Sequence, residues 1–181
     1  MANKIYGMTD LESLDTKPTA VIASIGVVLF TADKVFKDKF YVPVDIQSCL
    51  DKGMTVIGST IQFWMKQDED ARKVFNEKTV PIDKALQQLR NFVFKNVHSY
   101  NVTMVGNSAR FDLGILENAF LACGQEPFWK FWNEACYRTW KNLKGAPKIE
   151  RVGTHHSAID DALSQANHAI AINKHFDGII L

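Results

Sequence analysis

The chain has 181 residues, 46% of them hydrophobic and 23% charged, with 21 Lys and Arg against 20 Asp and Glu for a formal charge of +1. That length suits one domain with its own core, and residues 1–181 read as a single unit without linker, repeat or low-complexity run. The near-neutral balance excludes a protein that wraps duplex DNA by charge alone, because such binding needs many uncompensated Lys and Arg.

Three strands are expected first. Ile5 to Leu11 is short and partly apolar, and Thr19 to Phe30 is rich in Val, Ile and Ala, with Gly26 marking a bend. Val35 to Val42 alternates until Pro43 stops it, and the three together suggest an antiparallel meander. The period then changes. Gly58-Ser59-Thr60 can cap a helix carrying Ile61, Phe63, Trp64, Val74 and Phe75. After Pro81, Ile82, Ala85, Leu86, Leu89, Phe92 and Val93 recur at helical spacing. Thr103 to Val105 is a short buried strand closed by Gly106, Phe111 to Leu121 a helix ending near Gly124, and Ser157 to His175 the last helix. The order βββααβαα predicts an α/β fold, a mixed sheet with helices on its faces.

Met1 to Gly7 lacks the apolar core of a signal peptide, and no apolar stretch reaches the roughly 20 residues that span a bilayer, so no membrane is expected. Cys49, Cys123 and Cys136 are odd in number and lack zinc-ligand spacing, which suits free thiols in a reducing cytoplasm.

Asp10-Leu11-Glu12 puts two carboxylates on one face of a strand, where they repel unless a cation lies between them. They read either as solvated acids or as half of a divalent-metal site, since hard oxygen ligands suit Mg²⁺ or Mn²⁺. Asp112 follows a buried strand at the start of a helix, where a carboxylate also simply complements the helix dipole. In His155-His156-Ser157-Ala158-Ile159-Asp160-Asp161, the adjacent acids must point differently, and Ile159 and Leu163 place Asp161 nearer the buried stripe. A His pair capping a charged helix start explains the same segment.

Together these pieces resemble the ribonuclease H-like DEDDh 3′–5′ exonucleases, closest to phage and prophage exodeoxyribonucleases and a related bacterial exoribonuclease family. The matching motifs are Asp10-x-Glu12, Phe111-Asp112, and His156 with Asp161. His155 and Asp160 share that last spacing, but only His156, Ala158 and Asp161 fit the family-like string His-x-Ala-x-x-Asp. Ser59-Thr60-Ile61-Gln62-Phe63-Trp64 with Gln67, and Phe131-Trp132-Asn133-Glu134 with Arg138-Thr139, extend the likeness from about Ile5 to His175. Ser13, Leu14 and Asp15 depart from the Thr and Gly common after the first motif, and Cys136 stands where an Asp is common.

The resemblance implies a ribonuclease H-like mixed sheet, an antiparallel meander plus parallel strands. It also implies two Mg²⁺ or Mn²⁺ ions held by Asp10, Glu12, Asp112 and Asp161, with Asp10 bridging and His156 as general base. The implied substrate is a single strand, DNA ahead of RNA, and for a phage-encoded chain the compartment is the host cytoplasm. An exoribonuclease of the same fold is the nearest alternative. A catalytically silent binding module is a third, which the complete set of acids and His disfavours. Arg138, Lys141, Lys144, Lys148 and Arg151 could guide the strand or form a solvated loop. Trp129, Trp132 and Trp140 could stack bases, though core packing is the commoner use, and Phe63 and Trp64 are assigned to the core.

Overall fold

The computed structural model describes residues 4–97 and 101–181; Met1 to Asn3, part of the N-terminal stretch screened above for a leader, lie outside them. Strands β1 (Tyr6–Ser13), β2 (Ile22–Phe30) and β3 (Val35–Pro43) form the expected antiparallel meander. β1 also pairs in parallel with β4 (Thr103–Gly106), which pairs in parallel with β5 (Glu134–Cys136). The mixed sheet therefore has the order β3-β2-β1-β4-β5. Among the described residues the helices are α1 (Ile46–Leu50), α2 (Gly58–Met65), α3 (Glu69–Arg72), α4 (Ile82–Asn96), α5 (Ala109–Ala122), α6 (Tyr137–Lys141) and α7 (Ala158–His175), with a 3₁₀ turn over Lys73–Asn76.

Several boundaries differ from the sequence expectation. β1 runs on to Ser13, so Asp10 and Glu12 both lie inside it. β2 starts at Ile22, and Ala20 instead makes an isolated bridge to Thr55. The single helix expected from Gly58 to Phe75 is broken after Met65. Asp68 accepts a hydrogen bond from the Ala71 N–H at 2.8 Å and so caps a new helix. β5, α1 and α6 were not expected; three to five residues are too few to display a period. Nor does Gly26 bend β2, since its pairing runs unbroken from Asp10 to Tyr41.

Two cores flank the sheet. On one face, Leu11, Ile25, Val27, Leu29 and Met104 pack with Leu86, Leu89 and Val93 of α4 and Leu116 and Phe120 of α5. On the other, Tyr6, Met8, Val28, Phe30 and Val105 pack with Ala162, Ala166, Ala169 and Ile170 of α7. The small alanines let α7 lie close along the sheet. No helix of the described residues is long and apolar enough to cross a membrane.

Candidate active site

Strand alternation places the first two acids. Tyr6 and Met8 belong to the core under α7 and Leu11 to the opposite one, so Asp10 and Glu12 follow Tyr6 and Met8 onto the face that α7 covers. Gly26 is the cross-strand partner of Asp10. A Cβ at Gly26 would lie 2.4 Å from the carbonyl of Ala158, so glycine is what lets the first turn of α7 rest on the sheet there. That turn delivers Asp161. Ligand atoms of Asp10, Glu12 and Asp161 lie within 4.8 Å of one another.

Asp112 comes from the other side of β1. β4 ends at Gly106, α5 begins three residues later, and Asp112 in its first turn accepts a hydrogen bond from the Ser108 N–H at 3.1 Å. Its carboxylate would lie 2.9 Å from a Cβ on Gly106, a contact only glycine avoids. Both α5 and α7 thus aim their N-termini, which favour negative charge, at one point.

The four acids are 9%, 7%, 3% and 7% exposed for Asp10, Glu12, Asp112 and Asp161, too little for water to relieve their repulsion. Burial first, then the charges of Asp112 and Glu12, holds Asp10 well above the carboxylate range, against a hydrogen bond from Gln165 and the charge of Arg151. Burial and Asp112 push Glu12 up to about 8, with Arg151 opposing. Burial pushes Asp112 to about 6, opposed by surrounding backbone N–H groups. Hard carboxylate oxygens, converging and short of positive charge, are the donor set that fits divalent cations of the Mg²⁺ class. The cation the chain itself provides here is Arg151, whose guanidinium pairs with Asp161 Oδ1.

Gln165, one turn beyond Asp161 on α7, donates from Nε2 to Asp10 Oδ1 at 2.7 Å. A second stripe of α7 does different work. Asp160 accepts from the Thr154 N–H at 2.8 Å, and the Ser164 hydroxyl accepts from Val152 N–H at 2.9 Å and donates to Val152 C=O at 3.0 Å. His168 Nε2 donates to Pro147 C=O at 2.6 Å, which leaves Nδ1 to accept from the Tyr137 hydroxyl at 2.6 Å. Residues 160, 164 and 168 are four apart, so they clip the incoming loop along one helix edge. The adjacent acids are thereby separated in role: Asp161 joins Asp10 and Glu12, while Asp160 holds the loop that carries His155 and His156.

Both histidines line the resulting cleft of about 720 Å³. His156 has φ 62°, unusual for a residue with a Cβ, and the two rings lie 4.1 Å apart. Burial, then His155 and Arg151, hold the His156 imidazole below its ordinary 6.5, against Asp68. The opposite wall carries Asn107, Ser108, Arg138 and Lys141, and Ser59, Thr60, Phe63 and Trp64 of α2 complete the rim.

Trp64 is core, 5% exposed, with its indole N–H donating to Ser13 C=O at 3.0 Å. Phe63, also expected in the core, is instead 41% exposed, its ring 5.2 Å from that of His156, because α2 buries only Trp64 and leaves Phe63 on the rim of the cleft. Trp129 packs against Phe120 and Phe128, and Trp140 stands edge-on to Tyr6. Trp132 is 66% exposed, but neither it nor Trp140 forms part of the cleft wall. Of the basic segment, Arg138, Lys141 and Arg151 face the cleft, whereas Lys144 and Lys148 do not line it. Asp15, where the first motif departs from the family pattern, is buried and accepts from the Thr55 hydroxyl at 2.7 Å and the Thr16 N–H at 2.6 Å. Cys136 lies beside the Asn107 carbonyl. Sequence reading missed Gln165, the loop-holding role of Asp160 and the Arg151 pairing. For Gln165 the signal was present, four residues beyond Asp161 on one helix face.

The fold is shared with solved nucleases. The nuclease domain of 3'hExo, a DEDDh family member solved bound to rAMP, superposes with a TM-score of 0.63 at 14% identity over 99% of this chain and 96% of that one. The cell-death related nuclease 4 (CRN-4) gives 0.62 at 13% identity over 96% of this chain and 64% of that one. Exonuclease I of E. coli, in complex with a dT13 oligonucleotide, gives 0.63 at 12% identity over 95% of this chain and 41% of that one. The chain thus spans less than two thirds of the latter two. No curated protein matches the sequence. These likenesses establish the ribonuclease H-like exonuclease fold that the sequence resemblance implied. A family model, the 3'-5' exoribonuclease Rv2179c-like domain, matches residues 6–173, and the chain belongs to that family of DEDDh-type 3′–5′ exonucleases.

Proposed function

We propose that residues 1–181 form one catalytic unit that removes nucleoside 5′-monophosphates from the 3′ end of a single strand. Asp10, Glu12, Asp112 and Asp161 hold two divalent cations, Mg²⁺ or Mn²⁺, and His156 is the general base. One observation supports this reading: Asp10, Glu12 and Asp161 converge within 4.8 Å, Asp112 lines the same cleft, each is less than a tenth exposed, and a half-buried imidazole stands beside Asp161.

Bound cations would offset the charge of the phosphodiester and stabilise the negative charge that develops on the departing oxygen. The chain's own groups do the rest. Gln165 fixes the orientation of Asp10. His156, kept neutral by burial and by the neighbouring His155 and Arg151, accepts a proton from the attacking water. Arg138 and Lys141 line the same cleft as the acids and meet the phosphates of the incoming strand.

A single strand suits this geometry because the acids lie on the cleft floor. A paired end has to fray before its last phosphate reaches them. DNA is the polymer expected from the motif resemblance. The family description favours RNA and supports that second reading. A reducing cytoplasm suits the free Cys49, Cys123 and Cys136.

The test offers 5′-labelled single-stranded DNA and RNA of one sequence with Mg²⁺ or Mn²⁺. A ladder descending from the 3′ end, stopped by chelator, is the expected result, and its relative rate on the two polymers decides between them. Internal fragments or shortening from the 5′ end overturn the reading.

A further inference from the structure

The paired histidines present more than a proton acceptor requires. Adjacent residues in extended backbone face opposite ways, but the left-handed φ of His156 turns both rings to the same side, 4.1 Å apart. Asp161 lies beneath them. One ligand atom from each of His155, His156 and Asp161 falls within 4.8 Å of the other two.

This donor set differs in kind from the neighbouring one. Asp10, Glu12 and Asp161 offer only hard oxygens, which suit Mg²⁺ and Mn²⁺. Two imidazole nitrogens with one carboxylate instead favour Zn²⁺ and similar borderline ions over Mg²⁺. Bonds of about 2.0–2.2 Å place tetrahedral donors ~3.4 Å apart. Closing the remaining gap takes side-chain rotation, for which the exposed His155 ring is free to move, and a water can fill the fourth position. The partner of Asp161, Arg151, has a side chain 44% exposed and has room to swing aside.

We propose that His155, His156 and Asp161 form a second site, overlapping the first at Asp161, for a borderline divalent cation such as Zn²⁺, whose occupation switches the active site off. The site consumes the imidazole of His156 and the carboxylate of Asp161 together, so neither can serve hydrolysis while the ion is bound. His155 is then the residue that gives the chain this sensitivity. The inhibitory consequence rests on the function proposed above, whereas the binding itself does not.

The experiment uses Co²⁺, a coloured substitute for Zn²⁺, on the chelator-treated full chain. Wild type should take up one equivalent with visible absorption typical of four-coordinate nitrogen and oxygen ligation, displaced by Zn²⁺ and not by millimolar Mg²⁺. His155→Ala should lose that spectrum. Measured against its own Zn²⁺-free rate, its Mg²⁺-supported hydrolysis should need at least about tenfold more Zn²⁺ for half-inhibition. An unchanged spectrum and unchanged Zn²⁺ inhibition in His155→Ala overturn the proposal. So does near-ultraviolet thiolate absorption in its place, which assigns the ion to a cysteine. A His155-dependent spectrum in a chain that hydrolyses nothing leaves the metal site standing and removes the nuclease mechanism instead.

Discussion

The guanidinium of Arg151 pairs with Asp161 and lowers the proton affinity of both Asp10 and Glu12, so one side chain from the preceding loop partly offsets the charge of these three acids. Arg151→Ala should therefore lower the melting temperature in the presence of chelator. The loss should stay below the about 3–5 kcal/mol of a broken buried pair, because the Arg151 side chain is 44% exposed. Millimolar Mg²⁺ should then raise the melting temperature of Arg151→Ala by more than that of wild type, since the ion takes over the missing charge. Thermal melts of both proteins with and without Mg²⁺ check this. An equal Mg²⁺ shift in the two would show that Arg151 and the ion do not serve the same carboxylates.

The acid cluster also fixes a pH dependence. Glu12 is raised from 4.5 to about 8 and Asp112 from 3.8 to about 6, so each binds its proton more tightly folded than unfolded. Their contribution to stability is complete below about pH 4 and is lost as pH rises through about 6 and then about 8. Each tenfold difference in proton affinity corresponds to about 1.36 kcal/mol. With chelator present, the melting temperature should fall between pH 4 and 8, and Mg²⁺ should flatten the upper part of that fall. A chelator-treated protein that grows more stable from pH 5 to 8 contradicts the assignment.

Asp10→Ala, Glu12→Ala, Asp112→Ala and Asp161→Ala should each nearly abolish turnover while leaving the chain folded. Removing one member of a buried acid cluster relieves repulsion, so in chelator Glu12→Ala should melt no lower than wild type. Asp10 and Asp112 differ, because their carboxylates also accept from Gln165 Nε2 and from the Ser108 N–H, and their variants should lose some stability. Activity and melting measured side by side separate the metal role from a structural one. Inactivity explained wholly by unfolding would leave the ligand assignment unsupported.

What the sequence revealed and what it hid follow from the range of the interactions involved. Asp10 and Glu12 share a face because strand periodicity is local, so their pairing was visible in a tripeptide. That Tyr6 and Met8 continue the same face was equally readable. Gly26 was misread as a bend because the reason for it is 132 residues away, in the backbone of Ala158. β5 escaped notice because three residues show no period and its existence depends on the edge offered by β4. Phe63 looked like core for lack of any local sign that α2 rims a cleft. The His155 and His156 rings lie together through a single left-handed φ, which no residue type there announces.

Asp160 and Asp161 offer a direct test of how α7 divides its labour. Asp160 holds Thr154 through a hydrogen bond from a backbone N–H, and an amide oxygen can accept that bond as well as a carboxylate. Asp160→Asn should therefore stay near wild type in turnover, and Asp160→Ala should lose about tenfold as the loop carrying His156 loosens, a barrier increase of about 1.4 kcal/mol. Asp161→Asn should be nearly inactive, because a neutral amide is a poor ligand for a hard cation. Steady-state rates for the three variants decide it. If Asp160→Asn proved as damaging as Asp161→Asn, the loop-holding role given to Asp160 would be wrong.

The histidine pair gives the sharpest kinetic expectation. A general base must be neutral and must reach the attacking water within about 3.2 Å in the productive complex. His156 is half-buried beside Asp161, and Phe63 and Trp64 pack edge-on against its ring, whereas His155 is exposed. His156→Ala should therefore lower turnover by about 10²- to 10⁴-fold, the usual worth of a general base, with little change in Mg²⁺ affinity. His155→Ala should cost far less at neutral pH but should move the acidic limb of the rate profile. The charge of His155 helps to hold His156 below 6.5, so its removal lets His156 keep its proton to higher pH. The limb should then shift toward higher pH in His155→Ala and disappear in His156→Ala. Rate profiles from pH 5 to 9 on one single-stranded substrate measure both effects. A limb that survives unchanged in His156→Ala would belong to another group, and a larger loss in His155→Ala than in His156→Ala would transfer the proton-accepting role to His155.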